Sequence, residues 1–201
     1  MAAICVFCSS SERIDPSYVE LASAVGSELA RRGHTLISGG GSVSCMGAVA
    51  RAARAGGATT VGVIPQALIA LEVADHDADE LVVAADMRSR KAEMDRRADA
   101  FLTLPGGLGT LEELLEIWVS RTLAMHAKPV VVLDPDGVYA PLRAQVELLV
   151  ARGFVRVPAR DSVLWATTPG EALDVLEREL TEPRHMQAVV PSAEDLLEAE
   201  P

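Results

Sequence analysis

The chain has 201 residues, 49% of them hydrophobic and 23% charged, which is enough to bury a core without a disulfide or metal staple. Its formal charge of −11 argues against nucleic acid and anionic membrane as partners, since both are bound by neutralising phosphates with clustered Lys and Arg. A small anionic substrate stays compatible, because a local Arg/Lys pair outweighs the global field.

The opening MAAICVFCSSS lacks the basic start and apolar run of a secretory leader, and no stretch of about 18 apolar residues is present to span a membrane. With three cysteines and no secretory signal, the chain is expected to be cytoplasmic with reduced thiols. The first strand is predicted at Ala3–Cys8. Cys5 and Cys8 have CxxC spacing, but on a strand they point to opposite faces. No second CxxC or HxxxH completes a zinc set, so both read as buried small hydrophobes and no metal is expected.

A helix over Pro16–Arg32 opens on Asp15 as N-cap with Pro16 behind it, and Gly33 closes it. Further strands are predicted at Thr35–Ser38, Thr60–Ile64, Leu81–Ala84, Ala100–Leu104, Pro129–Leu133 and Ser162–Trp165. Helices alternate with them at Met46–Ala55, Met87–Arg97, Leu111–Ala124, Ala140–Arg152 and Pro169–Leu180, the last opening on the capping box Thr168-Pro169-Gly170-Glu171. Most strand candidates are continuously hydrophobic, as strands covered on both faces are. The alternation predicts an α/β fold: a Rossmann-like, doubly wound parallel sheet of about seven strands with helices on both faces. One domain is expected over residues 1–180, with 181–201 a disordered acidic tail.

Two glycine clusters follow strands, where open α/β sheets bind ligands. The first runs Ser38-Gly39-Gly40-Gly41-Ser42-Val43-Ser44-Cys45-Met46-Gly47; the second runs Leu104-Pro105-Gly106-Gly107-Leu108-Gly109-Thr110-Leu111-Glu112-Glu113. Glycines let backbone N–H groups approach an anion, and the following helix N-terminus adds partial positive charge. Gly40, Gly41, Met46, Gly47 and Gly106 are therefore candidate phosphate-loop residues. Neither cluster is a Walker loop, since no Gly-Lys-Ser/Thr follows, and the first strand leads into Ser9-Ser10-Ser11 without GxGxxG. Taken locally, Thr110 to Glu113 is also a capping box, and Arg90 and Lys91 also suit a solvated helix face.

Pro105 to Glu113 is a full PGGxGTxxE motif, preceded by Met87-Arg88-Ser89-Arg90-Lys91. With Gly39-Gly40-Gly41…Met46-Gly47 and Val61-Gly62-Val63-Ile64-Pro65, the chain closely resembles, over about residues 3–180, the Lonely Guy family of phosphoribohydrolases, enzymes that activate cytokinins and were long labelled lysine decarboxylases. The resemblance implies hydrolysis of the N-glycosidic bond of N6-modified adenosine 5′-monophosphates, and of AMP, to free base and ribose 5-phosphate. It also implies a homodimer with the active site at the interface. By the same resemblance Arg90 and Glu113 are catalytic, and Glu72, Arg90, Lys91 and the run Gly107, Leu108, Gly109, Thr110, Leu111, Glu112 and Glu113 contact substrate. No organic cofactor is needed.

The chemistry suits these residue types. Breaking a ribosyl–nitrogen bond develops positive charge on the sugar, which a carboxylate at Glu113 would stabilise, or it would activate water. Arg90 and Lys91 would hold the phosphate or polarise the leaving base. The chain departs from the common pattern at Arg88, where histidine is usual, and at Ser44 and Cys45, where glycine and leucine are commoner. It departs again at Ser9 and in Trp118-Val119-Ser120-Arg121, where many members carry Thr-Trp-Ala-Gln. These changes spare the ribose-phosphate end and leave the base preference open. Two alternatives stand beside the leading reading: a less selective purine 5′-monophosphate nucleosidase, and a non-catalytic nucleotide or cofactor carrier on the same fold.

Overall fold

The computed structural model describes residues 1–69 and 73–182. The apolar runs form seven strands: β1 Ala3–Phe7, β2 Thr35–Ser38, β3 Thr60–Pro65, β4 Glu80–Ala84, β5 Ala100–Thr103, β6 Val130–Leu133 and β7 Val163–Ala166. They lie in the order β4-β3-β2-β1-β5-β6-β7, and every pairing is parallel. The chain builds outward from β1 to β4, then crosses back to place β5 on the other side of β1. That reversal is where a doubly wound sheet opens a crevice at the carboxyl ends of its strands.

Between the strands run α1 Pro16–Arg31, α2 Ser44–Ala55, α3 Gln66–Ile69, α4 Met87–Arg97, α5 Leu108–Thr122, α6 Ala140–Ala151, α7 Val157–Arg160 and α8 Pro169–Thr181. One core cluster joins the sheet to α1, α2 and α8 through Val25, Leu29, Val49, Leu173 and Leu176. The other joins the opposite face to α4, α5 and α6 through Met94, Leu114, Ile117, Trp118 and Val146. Cys5 belongs to the second cluster and Cys8 to the first, so the CxxC pair does point to opposite faces; burial pushes both thiols well up. No helix among the described residues is long and apolar enough to cross a membrane.

Helix starts follow local chemistry. Asp15 accepts from the Ser17 amide at 2.9 Å as expected, and Gly33 adopts φ +70° beyond the end of α1. At α8 the Glu171 amide donates to Thr168 Oγ1 at 3.2 Å, but the Glu171 carboxylate accepts from the Thr167 amide at 2.8 Å, one residue short of the box expected. The unforeseen box is at α4: Asp86 accepts from the Ser89 amide at 2.8 Å, and Ser89 Oγ accepts from the Asp86 amide at 3.0 Å.

α5 begins at Leu108, three residues before the position expected. Its N-cap is Gly107, which has no side chain to give, so Thr110 and Glu113 lie inside the helix and the capping-box reading of that pair falls. The four-residue helices α3 and α7 were not foreseen, being too short to show a period. The tail expected after residue 182 lies outside the described residues.

Candidate active site

α4 packs against β1 to β4 and carries Arg90 into the interior, where only 5% of it is exposed. Its guanidinium is held from two sides: Nε donates to the Val63 carbonyl at 3.0 Å and Nη1 to Glu113 Oε1 at 2.9 Å. Nη2 rests against Gly39, so closely that a Cβ at that position would stand 1.9 Å from it. Gly39 is glycine because the arginine occupies the space. The solvated-face alternative for Arg90 therefore fails.

Glu113 is half-buried, and burial pushes its carboxyl up from the usual glutamate range, against the downward pull of Arg90. Lys91, one residue on, faces outward and bridges to Glu112 and, at 2.6 Å, to Glu116, which raises its ammonium. The resemblance to a known family had pointed to Arg90 and Glu113 separately; that they pair with each other, 23 positions apart, is a tertiary fact.

The two glycine clusters differ in use. In the first, the amide of Gly40 donates to Ser38 Oγ, Gly41 to Met46 Sδ, Met46 to the Ser9 carbonyl and Gly47 to the Val43 carbonyl. These four residues, expected in a phosphate loop, turn their N–H groups onto the protein itself, and the cluster serves to seat Arg90. Val73 and Asp75 lie against this loop, the Ser42 amide donating to the Val73 carbonyl and the Asp75 amide to the Gly40 carbonyl, both at 2.8 Å. Glu72 lies outside the described residues.

In the second cluster, the start of α5 has no side-chain cap, so the first-turn amides of Leu108, Gly109 and Thr110 meet no side-chain acceptor among the described residues. Gly106 gives its amide to the hydroxyl of Tyr139, which in turn donates to the Leu104 carbonyl at 2.9 Å. Tyr139, 3% exposed, thus staples the turn that carries Gly107 to Thr110. Sequence reasoning missed it, because an isolated tyrosine in a turn carries no signal. Ser44 shows why glycine is commoner there: its φ is +51°, and its hydroxyl offsets the strain by donating to the Ser11 carbonyl at 2.5 Å.

Beside Glu113 opens a cavity of about 360 Å³, floored by Phe7. Arg88, Lys91, Ala92 and Asp95 of α4 face Glu113, Glu116, Ile117 and Ser120 of α5 across it. On both helices the spacing is i, i+3, i+4, i+7, one face of each. Leu111 packs into the core below, while Leu108, Leu115, Val119 and Leu123 of α5 are exposed.

A family model described as possible lysine decarboxylase matches residues 46–176. The chain is 50% identical over 170 residues to the cytokinin riboside 5′-monophosphate phosphoribohydrolase of Mycobacterium marinum, covering 85% of this chain and 90% of that protein. It is 47% identical over 170 residues to the phosphoribohydrolase of the same name in Mycobacterium tuberculosis, with the same coverages of 85% and 90%. For one in Arabidopsis thaliana the identity is 45% over 174 residues, covering 87% and 80%. Among solved structures, the molybdenum cofactor binding protein from Rippkaea orientalis superposes with a TM-score of 0.68 at 21% identity, over 88% of this chain and 95% of that one. At that identity the likeness is one of fold.

Proposed function

The chain belongs to the Lonely Guy family of cytokinin riboside 5′-monophosphate phosphoribohydrolases, and from that membership we propose that it hydrolyses N6-modified adenosine 5′-monophosphates, and AMP, to the free base and ribose 5-phosphate. The observation that carries the reading is the buried Arg90–Glu113 pair set beside the open start of α5. A nucleotide laid along α5 meets the first-turn amides with its phosphate and Glu113 with its sugar. As the C1′–nitrogen bond breaks, the carboxylate faces the developing cation, and a water adds to C1′ while its proton leaves toward the base. Arg90 holds that carboxylate in place and keeps Nη2 for the substrate.

The older decarboxylase description fits poorly. The chain has two lysines, Lys91 and Lys128, and both are tied into ion pairs, Lys91 with Glu112 and Glu116 and Lys128 with Asp95 at 2.8 Å. A Schiff-base lysine must instead be free to lose its proton.

We also propose a cytoplasmic homodimer of one domain per chain. Its contact would be the exposed apolar side of α5, where Leu108, Leu115, Val119 and Leu123 form more apolar surface than a lone monomer needs. The test is base release from AMP, isopentenyl-AMP and the corresponding nucleosides, with light scattering on the same sample. We expect both nucleotides to be hydrolysed and the nucleosides to be about ten- to a hundredfold poorer, the worth of a charge-assisted phosphate contact. Release of base from none of them overturns the reading, and a monomeric mass at micromolar concentration overturns the dimer.

A further inference from the structure

The turn that presents the first amides of α5 has little of its own to hold it in place. Gly107, Leu108 and Gly109 are exposed, and a Cβ at Gly107 or Gly109 would meet no atom within 4 Å. Two of these three residues are glycines, which have the widest backbone freedom of any residue. On the helix side Thr110 gives a grip: its side chain lies over Gly106, whose Cβ would stand 2.2 Å from Thr110 Oγ1.

On the strand side the grip comes from elsewhere in the chain. Tyr139 opens α6 and reaches to the end of the neighbouring strand β5, where its hydroxyl donates to the Leu104 carbonyl at 2.9 Å and accepts from the Gly106 amide. Burial pushes the phenol up, so it keeps its proton and does both at once. One hydroxyl thus bridges the two residues that flank Pro105, which has no N–H to give. Tyr139 is itself fastened. Its amide donates to Asp134 Oδ2 at 3.1 Å, the Asp134 amide donates to the Ala166 carbonyl at 2.9 Å, and the Tyr18 hydroxyl donates to Asp136 Oδ2 at 2.7 Å. β7 and α1 therefore brace the β6–α6 turn, and that turn braces the start of α5.

We propose that Tyr139 is a positioning residue for the 5′-phosphate: through Leu104 and Gly106 it fixes the amides of Leu108, Gly109 and Thr110 where the phosphate is to sit. It touches neither the phosphate nor the bond that breaks. The proposal rests on the phosphoribohydrolase reading above. Donors already set in place take up an anion without first having to be ordered, so loosening them weakens the hold on the phosphate and leaves the sugar and base contacts as they were.

The experiment compares the wild type with Tyr139→Phe, which removes the hydroxyl and keeps the ring, and with Tyr139→Leu, which removes both. It reads kcat and KM for AMP and for adenosine, the affinity for ribose 5-phosphate by calorimetry, and the melting curve of each protein. In both variants kcat/KM for AMP should fall about tenfold, mostly through KM, and the ribose 5-phosphate affinity should fall by the same factor. Adenosine, which has no phosphate, should stay within about twofold of wild type. Tyr139→Leu should melt lower than Tyr139→Phe, because it also empties the space of the ring. An equal fall for AMP and adenosine in a folded Tyr139→Phe overturns the proposal and makes the hydroxyl merely structural. Unchanged values for both overturn it too. Base release from no nucleotide by the wild type overturns the phosphoribohydrolase reading, and the role of Tyr139 then stands or falls on the ribose 5-phosphate affinity.

Discussion

Two arginine clusters sit at opposite ends of the sheet, and they are built on different terms. At the amino ends of the strands, Arg32 follows α1 and gives up every nitrogen: Nε to Glu28 at 2.8 Å, Nη1 to Asp174 at 2.7 Å and Glu177 at 2.8 Å, Nη2 to the Gly170 carbonyl at 3.2 Å. His34 joins the same knot, sharing Glu177 at 2.9 Å while its Nδ1 accepts from the Ala2 amide at 3.2 Å. At the carboxyl ends, Arg90 is more deeply buried, yet among the described residues its hydrogen bonds go to one acid and one carbonyl, while Nη2 rests against Gly39. The acids differ likewise. Hydrogen bonds from Arg31, with Arg32 adding to them, pull Glu28 down to about 2, whereas burial pushes Glu113 up. A saturated arginine on the rim ties α1 to α8. A buried one whose Nη2 bonds to none of the described residues suits the substrate-holding role proposed above.

That contrast breaks first at Glu113. Glu113→Gln keeps the shape and one acceptor for Arg90 but removes the charge, so base release should fall about a hundredfold or more. Because the raised carboxyl must lose its proton to work, kcat/KM of the wild type should drop on the acid side at a pH above the ordinary glutamate value of about 4.3. The same sign applies to stability: Glu113 holds its proton more tightly in the fold, so its favourable share lies at low pH and fades as pH rises through the raised value. Near-normal turnover in Glu113→Gln would make the pair merely structural.

Gly39→Ala sharpens the comparison from the other side. A Cβ there collides with the far end of a flexible side chain, which can swing away, so the fold should survive while the guanidinium leaves its place. Turnover should fall about tenfold or more, with a melting temperature close to that of the wild type. Unchanged turnover would show that the position of Nη2 is immaterial.

Arg32→Ala should do the reverse. Its loss leaves Glu177 and Asp174 without their cation and costs about 2 kcal/mol, a fall of roughly 5 °C in Tm, while turnover stays within about twofold. Glu28 is held below its ordinary value, so the network's share of stability is present at neutral pH and is lost as pH falls toward about 2. The Tm deficit of the variant should therefore shrink on acidification; a constant deficit would assign it to lost packing.

Much of this was readable beforehand. Continuous apolar runs such as Val130–Leu133 announce buried parallel strands, and Asp15-Pro16 with Gly33 brackets α1. The start of α5 carries no local signal, since Gly107 caps it without a side chain while Thr110, three residues on, offers one. The box at Asp86 escaped because serine, not glutamate, closes it. At the site, motif likeness pointed to Arg90 and Glu113, but not to their bond, nor to Gly39 as the price of admitting a guanidinium. The role of Tyr139 and the facing stripes of α4 and α5 were equally out of reach. All of these are contacts between segments far apart in the chain, and local spacing carries no trace of them.

The Asp86–Ser89 box has a consequence for how this chain tolerates insertions and deletions. By fastening the first turn of α4, it sets the rotational phase of every side chain that follows. One residue gained or lost between Asp86 and Arg90 would turn the rest of the helix by about 100°. Arg90 would swing off Glu113, and Lys91, Ala92 and Asp95 off the cavity, in a single step. The same holds between Gly107 and Glu113 at the head of α5. Length changes should therefore be rejected at these two helix starts and accepted at places such as the exposed turn at Gly153, where no helix phase feeds the site.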